Sequence, residues 1–320
     1  MIFRLGFVAM TLDLENCSPS GTVTYTTYKN LKDESARRMR LARVSRSNLE
    51  NTLRILKNNA AQNIEVYRLT SKLIPLATHN ELFGWNYWEE FQYEFKRIGE
   101  YIKAKNFRVS AHPDHFTLLN SVKSEVIEAS IRDLDYHVKV FEAMGLEDYR
   151  YKLVLHVGGM YGNKEEAIER FKINYLNLPD RIRKRIILEN DDKVFTVADV
   201  LGICEDLNIP MVLDVHHHNC ANNGEAIEEF LPRIFNTWNG EIYPPKLHYS
   251  SPKSNKEYRS HADYIDYSDF VSFLNTAKVF NRDIDFMLEC KMKDRALLEL
   301  SEKLKKTKDI VQINKATFKI

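Results

Sequence analysis

Eight short runs of apolar, largely β-branched residues recur along this chain, at Ile2–Val8, Ile64–Leu69, Phe107–Ala111, Lys152–Val157, Arg185–Leu188, Pro210–Val215, Lys246–Tyr249 and Asp283–Leu288. Each is of strand length, and bounded runs of this kind read as buried strands. Between them apolar residues fall at helical spacing, as in Leu49, Leu53 and Leu56, or in Phe91, Tyr93, Phe95 and Ile98. Strands separated by helices pair in parallel through right-handed crossovers, and eight such units are the number that closes a (β/α)8 TIM barrel. An open doubly wound sheet shares the alternation, but no G-x-G-x-x-G or Walker loop follows the first run, so no nucleotide cofactor is expected. The expected fold class is therefore α/β, a (β/α)8 TIM barrel.

The chain has 320 residues, 44% of them hydrophobic and 28% charged, which is the composition of a globular protein. Only 11 Gly and 9 Pro are present and no Ser/Gly- or Pro-rich linker divides the chain, so residues 1–320 are expected to form one domain. Lys and Arg total 46 against 45 Asp and Glu, which excludes a global pull toward polyanions and leaves only local patches. One such patch runs from Lys29 to Arg46, with seven basic residues against two acidic ones. The four cysteines, Cys17, Cys204, Cys220 and Cys290, form no C-x-x-C pair, which argues against a disulfide framework and for a reducing cytoplasmic setting. Met1–Met10 reads as a first strand, and no stretch approaches the roughly 18 uncharged apolar residues of a membrane span.

Six successive strands end in a side chain able to bind metal: His112, His156, Glu189, Asp214, His248 and Glu289. A lone His or Glu at a strand end is usually a hydrogen-bonded structural residue. A parallel barrel, however, aims all its strand C-termini at one mouth, so these six converge there. His217, three residues after Asp214, and His261, in the loop after the seventh strand, raise the set to eight, more than one ion needs. Packed carboxylates repel, and divalent cations relieve that repulsion while neutral imidazoles add ligands. A nitrogen and oxygen donor set without thiolate suits Zn, Mn, Fe or Mg. Two or three ions at bridging distance can activate water toward a phosphodiester. Aldose–ketose isomerisation at a two-metal site is the alternative, with Lys246, two residues before His248, available for proton handling.

The chain also resembles a known family over most of its length. Its RLGFV (Arg4–Val8), NLENTLRIL (Asn48–Leu56), YRLTSKLIPLATH (Tyr67–His79), AHPDHFTLLNS (Ala111–Ser121) and LHVGGMYGNK (Leu155–Lys164) stretches are similar to those of the UV-damage endonuclease family, relatives of endonuclease IV. So are LENDDK (Leu188–Lys193), LDVHHH (Leu213–His218), KLHYSSPKS (Lys246–Ser254), RSHADYI (Arg259–Ile265) and DFMLECKMKD (Asp285–Asp294). The resemblance implies a DNA repair endonuclease that hydrolyses the phosphodiester 5′ of cyclobutane pyrimidine dimers and 6-4 photoproducts with a metal-activated water, leaving 3′-hydroxyl and 5′-phosphate. It implies a cluster of two or three divalent ions, usually Mn with Zn or Mg as alternatives, held by His112, His156, Glu189, Asp214, His217, His248, His261 and Glu289. Glu189, Glu289 and Lys246 would be the catalytic residues, and the family lysine at the Lys246 position can be carboxylated.

After the third-strand histidine the family carries a Gln and an aromatic residue that probe the lesion; here those places hold His115 and Phe116. Phe116 can stack on an unpaired base, whereas His115 lacks the paired donor and acceptor of an amide. Arg68 and Tyr67, in the loop region beside the basic stretch with Tyr25 and Tyr28, are candidate DNA contacts. UV-damaged duplex DNA is the expected partner of a monomer, with no membrane involvement. A noncatalytic DNA-damage binder with a structural metal site is the third reading. His216, His218, His79 and His137 match no ligand position, and the segment from Thr307 to Ile320 matches no interpretable pattern.

Overall fold

Alternate residues of each strand point to opposite sides, and in this sequence the two sides differ in kind. In the computed structural model, which describes residues 1–320 apart from position 83, eight parallel strands form a closed barrel. They are β1 (Ile2–Val8), β2 (Val66–Leu69), β3 (Arg108–Ala111), β4 (Lys152–His156), β5 (Ile186–Glu189), β6 (Met211–Asp214), β7 (Lys246–Tyr249) and β8 (Ile284–Leu288). β1 pairs in parallel with both β8 and β2, which closes the ring. The crossovers carry α1 (Tyr25–Lys29), α2 (Glu34–Ala61), α3 (Tyr87–Glu90), α4 (Gln92–Ala104), α5 (Ser124–Ala143), α6 (Lys164–Leu176) and α7 (Asp180–Arg183). They continue with α8 (Val197–Leu207), α9 (Val215–Cys220), α10 (Ile227–Asn236) and α11 (Tyr267–Ala277), and α12 (Lys293–Leu304) follows β8.

Outward residues such as Leu5, Phe7, Leu153, Leu155, Ile186, Leu188, Leu213 and Phe286 join the helices in one continuous core. Their inward neighbours Val154, Ile187 and Val212 form a separate cluster with Trp238. That small apolar layer lies between two polar ones. Below it Asp285 accepts Arg4 Nε at 2.7 Å and Arg108 Nη1 at 2.5 Å, and the Arg108 guanidinium also lies 5.2 Å from the Trp238 ring and 5.1 Å from Tyr243. Above it the strand ends carry the histidines and carboxylates. Gly6 is required where β1 meets β2, because a Cβ there would sit 2.3 Å from the Val66 carbonyl oxygen.

Two segments depart from expectation. The helical stripe is Phe91, Phe95 and Ile98, all buried, whereas Tyr93 is 68% exposed, since two residues turn the chain to the far face of α4. The uninterpreted segment contains a hairpin, β9 (Val311–Asn314) and β10 (Thr317–Lys319), whose second strand pairs antiparallel with the start of β1. Phe318 stacks on Phe3 there at 5.4 Å between ring centroids. Among the described residues no helix is long and apolar enough to cross a membrane.

Candidate metal centre

Strand register brings the ligand candidates together. His156 is the partner of Glu189 across β4 and β5, and Asp214 is the partner of His248 across β6 and β7. Glu189 is the hub: His248 Nδ1 lies 2.8 Å from Oε1, and His112 Nε2 lies 3.1 Å from Oε2. His217 Nδ1 and His156 Nε2 stand 3.6 and 3.7 Å from the same two oxygens. Three sets of donors, each gathered within 4.8 Å, share this carboxylate: His112 with His156, Asp214 with His217, and His248 with Glu289. Seven of the eight expected ligands belong to these sets. The eighth, His261, stands 3.9 Å from Glu289 Oε2.

Local chain chemistry fixes several of these side chains. Asp214 caps α9, its Oδ1 accepting the His217 backbone N–H at 2.8 Å, so an Asp-x-x-His spacing delivers both residues to one point. The Nδ1 atoms of His112, His217 and His261 face the backbone carbonyls of Pro113, Asn190 and Glu289 at 3.0, 2.9 and 2.7 Å. Donation of Nδ1–H to a carbonyl turns the Nε2 lone pair of the neutral imidazole toward a cation, the usual arrangement of metal-binding histidines, and in His112 that nitrogen faces Glu189 Oε2 at 3.1 Å. Asn190, wholly buried, also exchanges two hydrogen bonds with the Asp214 backbone at 2.9 and 3.0 Å. Sequence reasoning missed Asn190; the LEND spelling around Glu189 was the available signal.

The residues fit divalent ions. Among the described residues Asp214 Oδ2, His248 Nε2 and His156 Nδ1 are buried polar atoms without a hydrogen-bond partner, an expensive condition that a cation would relieve. Burial pushes the Asp214 carboxyl up to about 7 against the pull of His217. Burial works against the charged form of His217 too, but Asp214 and Glu189 outweigh it and raise the imidazole to about 9. At Glu189, burial is outweighed by His248 and His156, which hold the carboxyl well below the usual range.

The other expected residues divide. Lys246 lies one inward step below His248 and outside the three donor sets, its Nζ donating to Ser110 Oγ at 2.6 Å. Burial, then Arg108, holds its ammonium well below the ordinary lysine range. Arg68 reaches the cluster itself, with Nη1 2.5 Å from Glu289 Oε1. His115 and Phe116 project from the loop after β3 at 75% and 70% exposure, their rings 3.9 Å apart. Tyr67 is a correction: it points out of the barrel into the buried core and its hydroxyl donates to the Ala9 carbonyl, so it anchors the loop after β1 and offers no exposed surface at the mouth. The residue two positions from an inward one on β2 would have faced the mouth; Tyr67 is one position from Arg68 and takes the other side.

A (β/α)8 barrel with four imidazoles and three carboxylates converging on its C-terminal mouth defines a class: barrel enzymes built around a histidine–carboxylate cluster able to hold divalent ions. Within it the relationship is specific. Residues 3–319 match the family model for UV-endonuclease UvdE. A UV DNA damage endonuclease of Bacillus thuringiensis subsp. konkukian is 44% identical over 318 residues, 99% of each chain. The crystal structure of SacUVDE superposes with a TM-score of 0.84 at 35% identity, covering 95% of this chain and 98% of that one. Endonuclease IV from Thermus thermophilus shares the fold, with a TM-score of 0.55 at 13% identity over 95% of this chain and all of that one. The chain belongs to the UvdE family of UV DNA damage endonucleases, and is a DNA repair endonuclease acting on UV damage.

Proposed function

We propose that the chain, acting as one domain of residues 1–320, cuts duplex DNA directly on the 5′ side of cyclobutane pyrimidine dimers and 6-4 photoproducts and leaves 3′-hydroxyl and 5′-phosphate ends. The observation that carries this reading is the Glu189 carboxylate shared by three donor sets, a geometry suited to two or three neighbouring ions. His112, His156, Glu189, Asp214, His217, His248, His261 and Glu289 would hold them, with Mn as the ion favoured. When bound, such ions polarise a phosphodiester and make water nucleophilic at neutral pH.

The chain's own groups supply the rest. The carbonyls of Pro113, Asn190 and Glu289 hold three imidazoles in one tautomer, so the donors need little rearrangement. Glu189 and Glu289, nearly closed off from solvent, keep negative charge at the cluster. Lys246 in its neutral form is the state that carboxylation requires, and the carbamate would add an anion beneath the cluster. Phe116, exposed and with His115 against it, would enter the duplex where a photoproduct has weakened stacking. Free cysteines throughout suit a reducing cytoplasm, and a monomer suffices to present this one mouth to duplex DNA.

The test is nicking of supercoiled plasmid, irradiated or not, by metal-stripped protein supplied with Mn, Zn, Mg or buffer alone. Metal-dependent nicking confined to irradiated DNA, with ends that a ligase and a polymerase recognise as 5′-phosphate and 3′-hydroxyl, supports the proposal. Equal nicking of unirradiated DNA refutes lesion selectivity. No nicking under any metal refutes hydrolysis and leaves lesion binding or sugar turnover to be assayed.

A further inference from the structure

The last strand of the sheet has a free edge. β10 pairs with the start of β1 and β9 pairs with β10 alone, so among the described residues the outer backbone of Val311–Asn314 meets no other strand. The hairpin has two unlike faces, as alternation requires. On the inner face Phe318 is buried against Phe3, and Gln312 Nε2 donates to Ser301 Oγ at 3.3 Å. On the outer face Val311 lies beside Lys319, and Lys319 beside Ile2, in one row across three strands. Val311, Ile313 and Ile2 are 62%, 54% and 38% exposed. Aliphatic side chains left in water along an open edge are what an added strand covers.

The charge around that edge is of one sign. From Lys303 to Ile320 the chain carries six lysines and one acid, Asp309. Lys303 pairs with Glu299, and Lys315 donates to Gln62 Oε1 at 2.6 Å. All six lysines are exposed, and Lys305, Lys306, Lys308, Lys315 and Lys319 have no ion-pair partner among the described residues. Lys308 stands before β9 and Lys315 in the turn after it, so the strand has a cation beyond each end. Lysines at an edge keep like edges apart, because two copies paired through β9 would bring both sets of lysines together. The same lysines attract an incoming strand that ends in carboxylates. Duplex DNA would answer the charge but leave the backbone edge and the aliphatic row unused.

We propose that β9 is a docking edge for an acidic, extended segment of a partner protein. The segment adds as a further strand beside Val311–Asn314, extends the Val311 and Ile313 face with its own aliphatics and sets carboxylates near Lys308 and Lys315. β10 joins β1 at Ile2, Phe3 and Arg4, the end of the barrel opposite the histidine–carboxylate mouth. A partner held there leaves the mouth open, so docking does not compete with substrate. The edge is independent of the reaction at the mouth.

The experiment is fluorescence anisotropy of a labelled peptide, Glu-Glu-Val-Thr-Ile-Thr-Glu-Glu, titrated with the full chain. The parent should bind it at micromolar concentrations. Lys308→Glu combined with Lys315→Glu should weaken binding about fivefold or more, as two surface attractions become repulsions. Val311→Thr combined with Ile313→Thr should weaken it as well, and because both residues are more than half exposed and Thr suits a strand, Tm should not move. Alternate N–H groups of an added strand face the edge, so N-methylation of Val and Ile in one peptide, and of the two Thr in another, should cost about tenfold or more in one of them and little in the other. Equal binding of both methylated peptides would reduce the contact to charge and overturn strand addition. So would absence of binding by the parent at millimolar peptide, or a dimer of the parent in sedimentation, which would make a second copy the occupant. Inhibition of plasmid nicking by saturating peptide would place the peptide at the mouth and overturn the site. Undamaged duplex DNA that displaces the peptide and loses as much affinity in the double glutamate variant would make the surface a second DNA cradle, which also overturns the proposal. If the protein nicks no plasmid, the endonuclease reading fails, and the peptide series alone decides the edge.

Discussion

Removing Asp285 should be among the most damaging single changes outside the metal centre. Its carboxylate, 1% exposed, accepts Arg4 Nε and Nη2 at 2.7 Å each and Arg108 Nη1 at 2.5 Å. Arg4 is 18% exposed and keeps Glu65 at 3.2 Å, so Asp285→Ala costs it little. Arg108 is 2% exposed and would be left as a buried charge with one carbonyl, that of Pro244 at 2.8 Å, and two aromatic faces. Breaking a buried pair in this way costs about 3–5 kcal/mol, and the residual carbonyl and ring contacts place this case near about 3 kcal/mol. That is a large part of a typical stability of about 5–15 kcal/mol. Urea unfolding followed by fluorescence and circular dichroism together should show it, provided the two transitions coincide. Glu65→Ala, at a carboxylate 40% exposed, should cost at most about 1 kcal/mol. The double change Arg108→Met with Asp285→Leu should recover most of the loss, because it removes both charges together. Burial works against ionised Asp285, but Arg108 and Arg4 prevail and hold its carboxyl below the ordinary value. Its contribution is therefore present above the unfolded value of about 3.9 and lost as pH falls through the folded one, so Asp285→Ala should flatten the acid limb of the stability curve. A loss under about 1 kcal/mol for Asp285→Ala, or a double variant no more stable than the single one, would refute this account of the barrel floor.

Other consequences are equally direct. Glu189→Gln removes the carboxylate common to all three donor sets; bound metal measured by plasma emission should fall and incision should drop by about 10³-fold or more, and full metal occupancy in an active variant would contradict the shared-ligand geometry. Phe116→Ala should leave Tm unchanged, since the ring is 70% exposed, but weaken lesion-selective binding about 5- to 150-fold, the equivalent of about 1–3 kcal/mol for one stacked base. Metal-free protein should release protons on taking up Mn²⁺ near pH 7, because Asp214, raised to about 7, and His217, raised to about 9, must give theirs up. Apparent affinity should accordingly rise with pH between about 6 and 9, and calorimetry in buffers of different ionisation enthalpy should count the protons; a pH-independent affinity would contradict shared protons in the cluster.

The alternation of strand and helix, the eightfold repeat and the placing of His112, His156, Glu189, Asp214, His248 and Glu289 at strand ends were all legible in one dimension. The reason is that a parallel barrel converts position along each strand into height above its floor, so residues at equivalent ends meet whatever their separation in sequence. The Asp214 to His217 spacing was legible too, because a helix cap is a local interaction three residues long. Other features depended on which strand lies beside which and which way a side chain turns. Tyr67 and Arg68 are neighbours in sequence yet face opposite sides of β2, one into the outer core and the other onto Glu289, 221 residues away. The β9–β10 hairpin carries no periodicity that predicts its place, because that place is decided by a free edge at the start of β1. Asn190 acts through a partner remote in sequence, Asp214, which residue type does not reveal. Sequence alone thus determined the barrel and the chemistry gathered at its mouth, since both follow from short-range periodicity. Only the tertiary structure decided which carboxylate is shared and which imidazoles gather around it, since each of those is a contact between strand ends that the chain visits far apart.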